Sequence, residues 1–273
     1  MPGSGPDEKM QVWKGSRNMK PLEIKHRVIG GGEPLICVPV VEQDAQSVIR
    51  EITYLSQSTA DMIEWRVDAF RDFTDYNAIR SVFEAVAPLL GEKLFLYTFR
   101  TAHQGGMAQV KAEQLDDLHD LAAESGCVDL VDLEFFEEDR PLHKIKRLRE
   151  MGVSVIASHH DFEQTPSPEV MKMLLEKMCA GGADIVKLAV MPQNYKDVLN
   201  LLDVTAQFRE ENPDTPVITM SMGSLGGISR ISGETFGSCV TFGAHEKPSA
   251  PGQFAMKELR QMLDTIHASS QIQ

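Results

Sequence analysis

The sequence predicts an α/β chain closed as a (β/α)8 barrel, and three observations carry that expectation. Eight short apolar runs, 35–41, 61–67, 94–100, 128–135, 153–158, 184–190, 216–222 and 238–243, recur along the chain. Amphipathic stretches with apolar residues at i, i+3 and i+4 lie between them, at 109–125, 137–151 and 195–211. The length of 273 residues suits one such barrel and is long for a sandwich. A doubly wound sheet is the competing architecture, and the eightfold alternation favours the barrel.

Each strand run is rich in Val, Ile, Leu and Phe, as strands buried on both faces require. Before the first of them, the alternation of Leu22 and Ile24 and the triple glycine 30–32 suggest a hairpin. Residues 1–19 are rich in Gly, Pro, Ser and charge without periodicity and read as a flexible extension. Met19 is a plausible start of the folded part, which is expected to be one catalytic barrel over 20–269. The tail after His267 reads as frayed.

Composition narrows the partners. A net charge of -13 argues against nucleic acid and against an anionic membrane surface, both of which demand basic patches. No stretch reaches the ~18 consecutive apolar residues of a membrane span. Cys37, Cys127, Cys179 and Cys239 are scattered without a CxxC, so reduced, buried thiols in a cytoplasmic protein are expected.

In a barrel the chemistry sits at the C-terminal strand ends and the loops beyond them. Those positions hold Glu64, Arg66, Arg100, His159, His160, Asp161, Lys187, Ser221 and Met222, followed by Arg230, Ser249 and Gln253. Lys187 decides the class of chemistry. It stands inside the apolar run "DIVKLAV", where desolvation favours the neutral amine, the nucleophile that forms a Schiff base with a ketone. The competing explanation is structural: Lys187 is buried only to pair with Glu64 or Asp161. Glu64 and Arg66, two apart on one strand face, are equally consistent with an ion pair inside the barrel and with ligand binding.

Neighbouring strand residues face opposite ways, so only one of His159 and His160 can share a pocket with Lys187. Either could carry a proton near neutral pH. Metal binding by the pair is disfavoured by that divergence and by the lack of HExxH-type spacing. Arg66, Arg100 and Arg230 offer forked donors suited to a carboxylate. Neither GxGxxG after a strand nor GxxxxGK[ST] occurs, so no nucleotide cofactor is expected. The segment "GSLGGIS" at 223–229 could bind phosphate but reads more simply as a flexible loop.

The segments "EWRVD" (64–68), "TFRTAHQGG" (98–106), "SHHDF" (158–162), "VKLAVMPQ" (186–193), "TMSMGSLGGISRISGETFGS" (219–238) and "TFGAHEKPSAPGQ" (241–253) together resemble the type I 3-dehydroquinate dehydratases of the shikimate pathway. The resemblance runs in order from about Lys20 to His267. It implies a barrel whose N-terminal hairpin caps the bottom, a homodimer, and turnover of 3-dehydroquinate without a metal or organic cofactor. It assigns the Schiff-base lysine to Lys187 and the general acid/base to His160. Arg230 would grip the substrate carboxylate, and Glu64, Arg66, Arg100, Ser249 and Gln253 would hold hydroxyls beneath a mobile "KPSAPGQ" loop. Two positions depart from the family pattern: Gln104 replaces a glutamate that supports the catalytic histidine, and Pro39 stands where some relatives have serine. A neutral amide gives the imidazolium no countercharge, so slower turnover is expected. A class I aldolase, or a barrel weakened to a binding role by Gln104, are the alternatives.

Overall fold

The structure is a computed structural model and describes residues 22–271, so the expected extension 1–19 lies outside the described residues. Among the described residues ten strands and nine α-helices follow one another: β1 (Leu22–Ile24), β2 (Arg27–Ile29), β3 (Leu35–Val40), α1 (Ala45–Ser56), β4 (Met62–Arg66), α2 (Tyr76–Val86), β5 (Leu94–Thr98), α3 (Ala112–Glu124) and β6 (Leu130–Glu134), then α4 (Pro141–Glu150), β7 (Ser154–Asp161), α5 (Pro168–Ala180), β8 (Ile185–Val190), α6 (Tyr195–Glu211), β9 (Val217–Ser221), α7 (Gly227–Ile231), α8 (Gly233–Phe236), β10 (Val240–Phe242) and α9 (Met256–Ser270). Strands β3 to β9 pair in sequence, all parallel, and β10 pairs with β3. Closure between β9 and β10 rests on the bridge Val217↔Ser238 and the bond from the Cys239 N–H to the Val217 carbonyl, 2.8 Å. The (β/α)8 barrel is therefore the architecture.

Alternation along each strand sorts residues between two cores. Outward-facing Ile63, Trp65, Phe95, Tyr97, Val131, Leu133, Val155, Val186 and Leu188 pack with helix residues such as Val48, Ile52, Phe83, Leu118, Leu148, Leu175 and Leu201. Each large apolar side chain so buried contributes about 1.5–3 kcal/mol. Inward-facing Met62, Leu94, Leu130, Ile156, Ile185 and Ile218 fill the lower barrel, near the N-terminal ends of the strands. Two residues further along the same strands, the inward positions are Glu64, Asp132, Ser158 and Lys187, and all four are buried. Chemistry is thus layered on top of an apolar floor.

The hairpin seals that floor. Ile29 of β2 joins the inner core, with Leu22 and Ile24 packed against it. Its turn is Lys25–His26, both at positive φ (48° and 64°), and not the triple glycine, which instead links β2 to β3. Left-handed backbone at two non-glycine residues costs roughly 1–2 kcal/mol each. Lys25 offsets part of this by pairing with Asp129 at 2.8 Å, and Arg27 pairs with Asp61 at 2.9 Å, so ion pairs fasten the cap to the barrel.

Element ends follow local chemistry. Asn194 and Asp197 form a capping box, so α6 spans the whole predicted stretch 195–211. Pro141 at the first helical position delays α4 relative to 137–151. The part of the tail that is described is ordered where fraying was expected: α9 continues to Ser270, held where Glu234 accepts from the Ser270 hydroxyl (3.2 Å) and pairs with His267 (2.9 Å). All four cysteines are free, but only Cys37 and Cys239 are buried. Among the described residues no helix is long and apolar enough to cross a membrane.

His119 on α3 yields a stability test. It is 3% exposed, edge-on to Tyr97, and burial, helped by the Lys144 charge, pushes its imidazole down to about 4. The unfolded chain, with an ordinary imidazole near 6.5, then binds more protons between those two values, so stability falls as pH drops through that window, by up to roughly 3 kcal/mol. Urea midpoints should fall less between pH 7 and pH 4.5 in His119→Leu than in the wild type; equal falls would show that His119 is not the titrating group.

Candidate active site

Lys187 projects inward from the middle of β8, opposite Ser158 of β7, and is 3% exposed. Its Nζ stands 3.1 Å from Asp132 Oδ2 and 4.5 Å from the centre of the Phe242 ring. Neither anticipated partner takes this role. Glu64 Oε1 accepts from the Thr98 hydroxyl at 2.8 Å, and Asp161 accepts from the backbone N–H groups of Glu163 and Gln164. The countercharge is Asp132 on β6, which also binds Arg100 Nη2 at 2.8 Å and accepts from the Ser158 hydroxyl. Burial alone would raise the Asp132 carboxyl, but Arg100 and Lys187 outweigh it and hold the group well below the usual carboxylate range.

Arg66 and Arg100 are both paired with acids. Arg66 is forked onto Asp68, with Nε and Nη2 both at 2.7 Å, so of the two readings of Glu64 and Arg66 the ion pair between them does not form. Asp68 additionally accepts from the backbone N–H groups of Arg100 and Met107, which fixes the loop after β5. Arg100 Nη1 meets Glu134 Oε1 at 2.9 Å, and Glu134 also accepts from the Thr101 N–H and hydroxyl. Buried charges that are paired and hydrogen-bonded are tolerated, and these pairs hold the guanidinium groups in fixed orientations.

The histidines separate as the alternation rule requires, because β7 runs on through Asp161. His160 turns to the barrel mouth, while His159 meets the edge of Phe136, ring centres 5.3 Å apart. Gln104 Oε1 lies 2.9 Å from the His160 backbone nitrogen and 2.9 Å from its Nδ1. A backbone N–H can only donate, so the amide atom facing it is the oxygen. The same oxygen can only accept, so Nδ1 carries the proton and Nε2 keeps its lone pair. Burial, with the charges of Arg100 and Lys187, pushes this imidazole well below its ordinary value. His160 is accordingly neutral. Gln104 is held by a tight turn, Ala102–Gln104, closed by Gly105 at φ 81°.

Arg230 completes the top of the barrel. The glycine-rich segment before it is a built turn rather than a flexible loop: a Cβ on Gly226 would stand 2.0 Å from the Ser221 carbonyl oxygen, and the Ser229 hydroxyl donates to the Gly226 carbonyl at 2.7 Å. Arg230 is 1% exposed, with Nη2 donating to the Pro251 carbonyl at 2.9 Å and Nε without a partner. Among the described residues no carboxylate forms an ion pair with it. Burial lowers it to about 10, so it remains a cation at neutral pH. Ser249 and Gln253, on the segment that carries Pro251, bond one another, Gln253 Nε2 to Ser249 Oγ at 3.0 Å.

Glu64, Arg66, Arg100, Gln104, His160, Lys187, Ser249 and Gln253 line one pocket, together with Phe162, Met220, Met222 and Phe242. Arg230 is not in the lining; it sits behind Phe242 and Pro251, bonded to the carbonyls of both. Pro39 is inside β3, directly beside Glu64. Among the described residues no group of three His, Cys, Asp or Glu side chains could hold a metal. Sequence reading missed Asp132, Glu134, Asp68 and Ser158. The signal for the first two was available: acids at alternate positions within the apolar run "DLVDLE" break the pattern just as Lys187 does.

Type I 3-dehydroquinase is the family whose model matches residues 36–270. A 3-dehydroquinate dehydratase from Syntrophotalea carbinolica is 41% identical over 250 residues, covering 91% of this chain and 99% of the relative. The one from Listeria monocytogenes serotype 4a is 42% identical with the same coverage. A crystal structure of the type I enzyme from Clostridium difficile, determined with covalently modified comenic acid, superimposes with TM-score 0.89 at 38% identity, over 92% of this chain and all of that one. The 3-dehydroquinate dehydratase of Geobacillus kaustophilus gives TM-score 0.89 at 35% identity, over 92% of this chain and 98% of that one. With the lysine, the histidine and the arginines converging on one barrel mouth, and with relatives matched along nearly their whole length, the chain belongs to the type I 3-dehydroquinase family.

Proposed function

We propose that this chain dehydrates 3-dehydroquinate to 3-dehydroshikimate through a Schiff base on Lys187, with His160 as the proton carrier and no metal or organic cofactor. The observation that carries the reading is the convergence of a buried lysine and a neutral, oriented imidazole in one pocket with paired arginines. The Lys187 ammonium first gives up a proton to the solution, and the free amine then adds to the C3 carbonyl of the substrate. His160 passes protons as the carbinolamine loses water to give the iminium. The iminium acidifies C2, and His160 Nε2, which holds the free lone pair, takes that proton. The enamine expels the C1 hydroxyl, which leaves as water with the proton returned by His160. Hydrolysis of the imine consumes one water and frees the lysine, so the sum is the loss of one water.

Arg230 is the carboxylate site in this reading. A buried cation whose only described partners are two backbone carbonyls favours an anion, and the substrate carboxylate would displace the Pro251 carbonyl as the 247–253 stretch moves. Glu64, Arg66, Arg100, Ser249 and Gln253 hold the hydroxyls. The proposal includes residues 20–269 acting as one catalytic domain in a cytoplasmic homodimer; sedimentation should return twice the chain mass.

Three outcomes test the chemistry, read by the near-ultraviolet absorbance of the conjugated enone product. Lys187→Ala should lower turnover more than ~10³-fold, and borohydride added with substrate should attach one adduct to Lys187; an active preparation with that lysine unmodified would sink the imine route. Arg230→Gln should raise KM roughly 100-fold, with a smaller effect on kcat, as expected when a buried charged contact is lost. Because the His160 imidazole is depressed, the base form persists as pH falls, so kcat/KM should stay level from pH 7 to below 6.5 and decline only in more acidic solution.

A further inference from the structure

Gln104 has two ends, and only one of them belongs to the site just described. Its oxygen faces His160, while its Nε2 points outward to Glu137 Oε1 at 3.5 Å, the one acceptor that amide group meets among the described residues. Glu137 is held in place by a turn after β6, its N–H donating to the Glu134 carbonyl at 3.0 Å. Gln104 is 1% exposed, so water cannot readily replace a lost partner.

We propose that Glu137 is a positioning residue for the dehydration: its carboxylate fixes the Gln104 amide so that the oxygen, not the nitrogen, faces the His160 Nδ1–H. The inference rests on His160 being the proton carrier. Turning the amide over would set its NH2 against the His160 backbone N–H, donor against donor, and its oxygen against the Glu137 carboxylate, acceptor against acceptor. Glu137 therefore acts with the His160 backbone N–H to hold the tautomer that leaves Nε2 free for the substrate. The negative charge of Glu137 thus reaches the imidazole through a neutral amide. A glutamate at 104 would face Glu137 across the same gap, and the two carboxylates would repel.

The test is a double-mutant cycle with a spectroscopic readout. Glu137 is exposed, so its variants should fold, and their thermal midpoints verify this. Glu137→Ala should lower kcat roughly tenfold with KM within about twofold, as loss of an outer-shell partner does. Nitrogen-15 spectra of the His160 imidazole should change from one Nδ1–H tautomer in the wild type to a mixture of two in Glu137→Ala. Gln104→Glu alone should gain little, whereas Gln104→Glu with Glu137→Gln should exceed the product of the single effects. Unchanged kcat and an unchanged tautomer in Glu137→Ala would overturn the positioning role while leaving the proposed dehydration intact. Wild-type turnover in His160→Ala would instead overturn the reading beneath it, and the positioning role with it.

Discussion

A lysine and an arginine cannot share the inside of one barrel unless an anion stands between them. Asp132 is that anion: it touches Lys187, Arg100 and the Ser158 hydroxyl from the centre of β6. Two cations on one carboxylate leave a net positive centre, and Glu134 on the same strand face, bound to Arg100, balances it. Removing one partner of such a buried set strands the others and costs about 3–5 kcal/mol. The positions of Lys187, Arg100 and Ser158 are therefore consequences of a single carboxylate.

Layering lets the barrel carry this charge. The polar layer rests on an apolar floor sealed by the hairpin, and the outward faces of the same strands bury a separate, larger core against the helices. Stability comes mainly from those two apolar regions, and chemistry from the layer above.

The segment over the mouth obeys a different constraint. Its base is closed by the Ala244–Ala255 bridge, where the Ala244 N–H donates to the Phe254 carbonyl at 2.9 Å and the Met256 N–H to the Ala244 carbonyl at 2.8 Å. His245 anchors one side by pairing with Glu51 at 2.7 Å and stacking on Tyr54 with ring centres 3.9 Å apart. Between these fixed ends, Ser249 and Gln253 bond each other and the Pro251 carbonyl rests on Arg230. The ends are thus tied by backbone bonds, an ion pair and a stacked ring, whereas the stretch between them is held by side-chain bonds and one contact to Arg230, which makes it the least tied part of the segment.

Much of this was legible in the sequence because it depends on periodicity and on exceptions to it. Alternating apolar runs place eight strands, the capped stretch 195–211 becomes a helix of the same extent, and a lysine inside an apolar strand marks the site. What pairs with that lysine was not legible, since Asp132 lies 55 residues away and only closure of the sheet sets β6 and β8 on either side of β7. The protonation state of His160 was equally hidden: it depends on which atom of Gln104 faces a backbone N–H, a matter of distance rather than of residue type. The chain by itself determined the barrel and the strand residues that interrupt its apolar runs, because these follow from local pattern. Tertiary structure alone decided the partners, tautomer and orientation of those groups, because they arise between strands that the sequence keeps apart.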